Sequence, residues 1–420
     1  MNSRRRLRQN IAALTALQFL SYVAPLLTVP YLVRILKPAE FGLLSFAQGI
    51  VLYLDLLTDF GFNLSATRAI AAQREDIDAI SRIFWSTLTA KLILMCLSAL
   101  ILTLLIAFTP KLREYTSLYA VSFLYVIGTA LFPLWLFQGL EEVTIAALAL
   151  GIARTLTVPA LFLWVRHKED LVIAGAIQAS VQLCASVLVT PLLLKRIRLR
   201  RHRPSCFEIL NVFKAGWPLF LSGSALYLCN SSTTVALGFA AGPVQVGYYS
   251  AADKLIKAVT SLLSPIGQAL YPHITALKTE SHLSALALIR KSFVSTGLLS
   301  LCASLGTLVL ADPVCRLILG PAFGQSASVL RWLSPLPLIF GLMSVLGTQT
   351  MLVFEMDSTV SRIMLASALG GIPVTLALAF LFGADGAAAA SVSLAATMLA
   401  AMAVKLRARG LRVWQYVSPI

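Results

Sequence analysis

Long apolar runs, separated by short polar links, fill almost the whole chain of 420 residues. A helix that crosses a membrane needs roughly 20 mostly apolar residues, and division at the polar links gives about twelve runs of that length. The predicted spans are 11–36, 41–64, 83–108, 115–137, 143–165, 170–194, 214–240, 245–272, 290–311, 326–352, 360–382 and 384–406. The pattern predicts an all-α polytopic membrane protein, because in lipid a helix satisfies its own backbone hydrogen bonds.

A repeated phrase divides these spans into two equal sets. The sequence PAEFGLLSFA at 38–47 recurs 205 residues later as PVQVGYYSAA at 243–252, with Pro, Gly, Ser and Ala in register. Internal repeats of this kind are typical of transporters. We therefore predict two homologous six-helix lobes, 1–194 and 214–420, the second with a short cytoplasmic tail. A basic cytoplasmic linker at 195–213 joins them.

Composition excludes a soluble domain, and the positive charges give the orientation. Charged residues make up 12% of the chain, against ~25% in soluble domains. With the N-terminus in the cytoplasm, 21 Lys and Arg residues fall on the cytoplasmic side and seven on the other, so we expect both termini inside. The net charge of +16 lies in the short links. It therefore predicts contact with membrane lipids and no nucleic-acid partner; the densest run, 195–203, is a headgroup anchor or a specific binding site.

Motifs of catalysis and of metal binding are missing from the sequence. It contains no Gly-Lys dipeptide, HExxH or GxSxG, and its four histidines lack the spacing of metal ligands. Asp76 and Asp78 have the DxD spacing of some glycosyltransferases, but their charged neighbours predict a solvated loop. We expect a protein that is not an enzyme, with no catalytic residue, cofactor or metal.

One stretch carries a family resemblance. The run DFGFNLSATRAIA at 59–71 resembles the phrase near the end of the second helix in Wzx-type polysaccharide flippases, which belong to the multidrug/oligosaccharidyl-lipid/polysaccharide exporter superfamily. The residues that match are Asp59, Gly61, Asn63, Thr67 and Arg68. Length, span count and internal repeat agree with this resemblance over the whole chain.

The resemblance implies a function for the two-lobed bundle. It implies a flippase of the bacterial inner membrane that moves polyprenyl-diphosphate-linked oligosaccharide repeat units from the cytoplasmic to the outer leaflet. Alternating access of the lobes would serve O-antigen or exopolysaccharide synthesis, with polysaccharide polymerase machinery as a further partner. The alternatives are a multidrug cation antiporter of the same superfamily, and a polytopic glycosyltransferase or polysaccharide polymerase.

Seven charged residues within the predicted spans are the candidate site. They are the cations Lys91, Arg154, Lys254 and Lys257 and the acids Asp55, Asp59 and Asp253. A charge in the hydrocarbon region costs at least ~2.5 kcal/mol, so such residues face a partner or a water-filled cavity. Two interpretations follow. Either the charges neutralise each other, as the i,i+4 pair Asp253 and Lys257 can, or the cations hold a diphosphate while the acids bind a coupling ion.

Overall fold

A computed structural model of the protein describes residues 2–196 and 199–411, with side chains described at 27–191, 199–221, 223–224, 232–263, 267 and 270–411. Helices dominate these residues, and no β-strand occurs among them. The predicted all-α class is therefore confirmed. The apolar sequence and the helical backbone together identify a multi-pass membrane protein.

Among the described residues, the first half of the chain contains nine α-helices. They are α1 (Asn2–Asp59), α2 (Phe62–Ala71), α3 (Ile77–Phe108), α4 (Pro110–Arg113), α5 (Thr116–Ser122), α6 (Leu124–Leu131), α7 (Leu134–Gly139), α8 (Val143–Trp164) and α9 (Leu171–Arg196), with a 3₁₀ turn at Lys168–Asp170.

The second half contains seven α-helices within the described residues. They are α10 (Cys206–Ala241), α11 (Pro243–Glu280), α12 (His282–Val309), α13 (Ala311–Val314), α14 (Gly324–Leu333), α15 (Leu336–Met343) and α16 (Asp357–Ala408). Two π-helical segments, Cys315–Leu319 and Ser344–Leu352, and a 3₁₀ turn, Pro321–Phe323, lie between them.

Eight helical stretches of the described chain are long and apolar enough to cross a membrane. The first, Leu27–Ala71, has 45 residues, and the last, Asp357–Ala408, has 52. Each contains a kink: the backbone leaves the helical region at Lys37 (φ 61°, ψ 173°) and at Gly383 (φ 58°, ψ −132°). The kinks therefore divide α1 and α16 into two helical segments each.

The helices depart from the predicted spans at identifiable residues. The predicted span 41–64 crosses a break, because α1 ends at Asp59 and α2 begins at Phe62. The spans predicted at 115–137 and 326–352 are each interrupted. Pro133 and Pro335 stand immediately before α7 and α15, where a residue without a backbone N–H ends the preceding hydrogen-bond ladder.

The chain divides into two compact units. The first contains the residues up to Leu36 together with Leu44–Tyr227, and the second contains Lys37–Leu43 and the chain from Leu228 onwards. The core of the first unit gathers around the buried Trp135, and that of the second includes the buried Met351.

Large apolar side chains also cover the outer faces of the helices. Phe380, Leu381 and Phe382, for example, are each more than 60% exposed, as is Phe108 at the end of α3. A soluble protein rarely exposes contiguous apolar surface of this kind. The surrounding lipid explains these faces.

The repeated phrase builds a close helix crossing inside the second unit. A Cβ atom placed on Gly42 would lie 1.8 Å from the carbonyl oxygen of Pro243, and one placed on Gly247 would lie 2.0 Å from the carbonyl oxygen of Pro38. The same two positions of the repeat therefore meet reciprocally. Only glycine permits this approach, because any side chain would occupy the space of the partner's backbone.

The residue before each of these prolines has the same unusual backbone. Gly242 has φ 83° and ψ 178°, and Lys37 has φ 61° and ψ 173°. This region of φ and ψ is almost confined to glycine. The first copy of the repeat therefore holds a lysine in a strained conformation that the second copy adopts with glycine.

The reciprocal crossing gives the first prediction. Gly42→Ala or Gly247→Ala should destabilise the protein by about 1–3 kcal/mol, the usual cost of overpacking, because the new methyl group must displace a backbone carbonyl. The melting temperature of the purified protein in detergent measures this. Gly306→Ala is the matched control, since no atom lies within 4 Å of its Cβ position. Gly42→Ala and Gly306→Ala proteins of equal stability would contradict the crossing.

Candidate functional site

Two of the predicted site residues form an ion pair in the first unit. Lys91 on α3 donates to Asp59 at the end of α1, with 2.9 Å between Nζ and Oδ1. The lysine side chain is 2% exposed and the aspartate side chain 25% exposed. The buried ammonium is therefore neutralised by the carboxylate at its side.

The second predicted acid on α1, Asp55, has a different environment. Asp55 is 6% exposed and accepts a hydrogen bond from the hydroxyl of Thr129. One turn further along α1, Thr58 and Ser98 share a hydrogen bond of 3.0 Å, so polar groups line this part of α1. Among the described residues no cation lies within ion-pair distance of Asp55. Of the three predicted acids, only Asp55 has no ion-pair partner among the described residues, since Asp59 pairs with Lys91 and Asp253 pairs with Lys257.

Three predicted residues lie on α11 in the second unit. Lys257 pairs with Asp253 at 2.7 Å, one helical turn apart, and the lysine side chain is 53% exposed. Lys254 is half-buried and forms no ion pair with a described residue. Its Nζ instead lies 4.6 Å from the centre of the Phe41 ring. Lys257 thus forms an ion pair with Asp253, whereas Lys254 contacts the face of an aromatic ring.

The fourth cation, Arg154, lies on α8 and is half-buried. The sequence predicted a cationic balance inside the spans. The structure shows that two of the four cations, Lys91 and Lys257, already have carboxylate partners.

The family motif at 59–71 forms the break between α1 and α2. Phe60 has φ 45° and Gly61 has φ 74°, both in the left-handed region. A Cβ on Gly61 would lie 2.8 Å from the carbonyl oxygen of Gly216, and one on Gly216 would lie 2.6 Å from that of Phe60. The Phe60 ring stacks on Phe220 with 4.7 Å between centroids. The motif therefore packs the first half of α10 against the end of α1.

The remaining motif residues follow on α2. The Thr67 hydroxyl donates to the carbonyl oxygen of Asn63 at 2.5 Å and lies 3.2 Å from that of Trp135, which ties α2 to α7. Arg68 is exposed. Most of the motif thus serves the architecture of the first unit.

A fixed stretch of the linker was missed by the sequence analysis. Arg200 makes two hydrogen bonds to the carboxylate of Asp78, at 2.7 and 2.8 Å. Its backbone N–H donates to the Ser81 hydroxyl at 2.9 Å, and its carbonyl accepts from the Trp85 indole at 3.0 Å. These contacts hold this part of the basic run 195–203 on the start of α3.

These contacts also account for the DxD pair. Asp78 binds Arg200, and the Asp76 carboxylate caps α3 by accepting the backbone N–H groups of Asp78 and Ala79. The hydrogen bond from Ala79 is the main reason that the pKa of Asp76 lies below its ordinary value. The two acids therefore have structural partners in a link between helices.

A pair of equivalent charged turns was also missed. Glu141 and Glu355 both have left-handed backbones, with φ of 58° and 60°. Glu141 pairs with Arg74 at 2.6 Å, and Glu355 pairs with Lys278 at 2.9 Å. In each turn the backbone N–H of the residue after the glutamate donates to the carbonyl oxygen five residues earlier in the chain, at 2.8 Å. The internal repeat thus extends to turns whose local sequences differ.

One cavity of the second unit is lined by other residues. It measures about 420 Å³, and its walls include Asp312, Cys315, Arg316 and Phe323. None of the charged residues predicted from the sequence lines it. Within the described residues, no cluster of His, Cys, Asp or Glu is arranged to hold a metal ion.

The helical fold and the intramembrane charges define a multi-pass membrane protein of transporter type. A family model described as "Polysaccharide biosynthesis protein" matches residues 7–278. Two proteins named "Putative O-antigen transporter" are similar to the chain: that of Escherichia coli K12 is 32% identical over 91% of this chain and 92% of the relative, and that of Shigella dysenteriae is 29% identical over 90% and 95%. The chain belongs to this polysaccharide biosynthesis family, and the resemblance inferred from its sequence is confirmed.

Solved structures show the same fold at low sequence identity. The inward closed conformation of lipid II flippase MurJ has a TM-score of 0.75 at 11% identity, over 95% of this chain and 87% of that one. An inward-facing multidrug resistance MATE transporter of the MOP superfamily has a TM-score of 0.62 at 16% identity, over 93% and 94%. The chain thus shares the fold of these two proteins.

The ion pair in the first unit gives the second prediction. Lys91→Met or Asp59→Leu alone should lower the free energy of unfolding, because each leaves its partner unpaired. Removal of one member of a buried pair costs about 3–5 kcal/mol, and we expect less here because Asp59 is partly exposed. The Lys91→Met/Asp59→Leu double variant should recover most of the loss. The melting temperature and the amount of protein in the membrane measure this. A double variant that is less stable than both single variants would contradict the pairing.

Proposed function

We propose that the protein is a flippase for lipid-linked oligosaccharides. It moves polyprenyl-diphosphate-linked repeat units from the cytoplasmic to the outer leaflet of the bacterial inner membrane, for O-antigen or related surface polysaccharide synthesis. The observation that carries this proposal is the 32% identity to a named O-antigen transporter over 91% of the chain. The protein transports a finished glycolipid and performs no covalent chemistry on it.

The proposed architecture has twelve spans in two lobes. Division of α1 at Lys37 and of α16 at Gly383 gives four spans. The interrupted stretches Thr116–Gly139 and Pro321–Leu352 count once each, and α3, α8, α9, α10, α11 and α12 complete the set. An even number puts both termini on one side, and the positive charges favour the cytoplasm. Alternating access of the two lobes is the proposed mode of transport.

The diphosphate is assigned first to Lys254. Lys91 and Lys257 have carboxylate partners, whereas Lys254 has an aromatic one. A phosphate can therefore bind Lys254 without displacing an acid. Arg154 is the second proposed contact, because a guanidinium keeps its charge when buried. Lys91 and Lys257 are secondary candidates for this role, because a phosphate would have to displace their carboxylate partners.

Coupling to an ion gradient is assigned to Asp55. It is buried and has no recorded basic partner, whereas Lys91 and Lys257 neutralise Asp59 and Asp253. A proton or a sodium ion bound to a buried carboxylate that has no cationic partner would remove the cost of its charge. Asp59 and Asp253 are secondary candidates for this role.

Deletion of the gene tests the proposed function. We expect lipid-linked repeat units to accumulate in the inner leaflet, because their synthesis continues while their transfer stops. Extraction and quantification of the lipid-linked units, with an assay of surface polysaccharide, measure both effects. Absence of completed units in the deletion strain would point to a transferase, and complementation by the intact gene is the control.

The two lysines of α11 give a further prediction. A charge-assisted contact is worth ~1.5–3 kcal/mol, and ~1.4 kcal/mol is a factor of ten in rate. Lys254→Ala should therefore slow transport by about tenfold or more, and Lys254→Arg should retain much of it. The matched control is Thr275→Ala, which removes from the same helix an exposed hydroxyl that donates to the carbonyl oxygen of Tyr271 one turn earlier, and which should transport normally. Normal transport by Lys254→Ala would refute the assignment.

Orientation is tested by labelling single cysteines with a membrane-impermeant thiol reagent. Residues on the cytoplasmic side should label only after the membrane is opened, and residues on the outer side should label in intact cells. Cytoplasmic positions are those near Arg74, Arg200, His282 and Arg407, and outer positions are those near Ser117 and Gly383. Labelling near Arg200 in intact cells would contradict an even span count in the first lobe.

A further inference from the structure

The partner of Lys254 comes from a distant part of the chain. Phe41 lies in the segment Lys37–Leu43, which packs within the second unit although its neighbours in sequence belong to the first. The lysine Nζ is 4.6 Å from the centre of the Phe41 ring. This is within the ~6 Å at which a cation is attracted to an aromatic face.

Phe41 is held firmly in place. The side chain is fully buried, and its ring meets that of Phe323 edge to face, with 6.1 Å between centroids. Phe323 in turn meets Tyr248 at 6.0 Å. The next residue of the chain is Gly42, which is fixed by its crossing with Gly247. The ring therefore has little freedom to move away from the lysine.

An aromatic face differs from a carboxylate as a partner for lysine. A carboxylate neutralises the ammonium and competes with an incoming phosphate, as at Lys91 and Lys257. A ring face attracts the ammonium without adding a negative charge, and the group has three N–H donors to offer. Lys254 is thus positioned on Phe41 while its charge stays available to an anion.

We propose that Phe41 is a positioning residue that holds the Lys254 ammonium for a polyprenyl diphosphate. The first copy of the repeat, through Phe41, thereby completes a binding site on α11, the helix that begins with the second copy. This inference depends on the proposed function, in which Lys254 contacts the diphosphate.

The experiment measures binding, so that it does not depend on transport. Purified full-length protein in detergent is titrated with farnesyl diphosphate, and thermal stabilisation gives the apparent Kd. Farnesol is the uncharged control, and inorganic diphosphate shows whether the anion alone is bound. The variants are Phe41→Leu, Phe41→Met, Lys254→Ala and Phe41→Leu/Lys254→Ala. Phe323→Leu is the matched control, because it removes a ring from the same cluster without touching the lysine's aromatic face.

We expect Phe41→Leu to weaken binding of farnesyl diphosphate about fivefold to thirtyfold, the factor that corresponds to a partly desolvated cation–π contact. In the Lys254→Ala background the same change should have no further effect, because Phe41 acts through the lysine. Phe323→Leu should weaken binding less than Phe41→Leu. If Phe41→Leu does not fold, Phe41→Met provides the same comparison.

The outcomes separate this inference from the function on which it rests. Wild-type binding of farnesyl diphosphate no tighter than that of farnesol, or unchanged binding by Lys254→Ala, would overturn the diphosphate assignment itself. Weakened binding by Lys254→Ala with wild-type binding by Phe41→Leu would overturn only the role of Phe41. If Phe41→Leu weakened binding of farnesyl diphosphate by the same factor in the wild-type and Lys254→Ala backgrounds, the role of Phe41 would also be overturned.

Discussion

The cost of charge in an apolar bundle governs the interior of this protein. Lys91 is almost completely buried and is matched by Asp59, and Lys257 is matched by Asp253 one turn away. Each pair removes a penalty that a lone charge would impose in lipid. Two groups depart from this pattern, Lys254 on an aromatic ring and Asp55 beside a hydroxyl. We assign ligand and ion binding to these two because their charge is not already compensated by an ionic partner.

The internal repeat determines how the second unit is assembled. Its glycines, Gly42 and Gly247, allow two helix starts to approach more closely than any side chain would permit. The first copy differs at Lys37, which adopts a backbone that suits glycine. Strain of this kind costs about 1–3 kcal/mol and persists only where the surrounding structure imposes it. The crossing imposes that constraint next to Phe41, the ring on which the Lys254 ammonium lies.

Much of the fold follows from apolar periodicity, and less of the site does. Run length and polar links predicted the helical class, and the Asp59–Ala71 phrase predicted the family. The break at Phe60 and Gly61 was missed because the apolar run continues through it, and only the contact with Gly216 explains it. The four intramembrane cations were visible in the sequence. Their partners depend on tertiary contacts, apart from the local spacing of Asp253 and Lys257.

The most direct test of the account is the movement of the lipid itself. Purified protein is reconstituted into vesicles that carry a fluorescent polyprenyl-diphosphate oligosaccharide in both leaflets, and a membrane-impermeant reagent that destroys the label is added outside. The account predicts that the inner pool becomes accessible in vesicles that contain the protein and stays protected in vesicles without it. An inner pool that stays equally protected in both would contradict flippase activity.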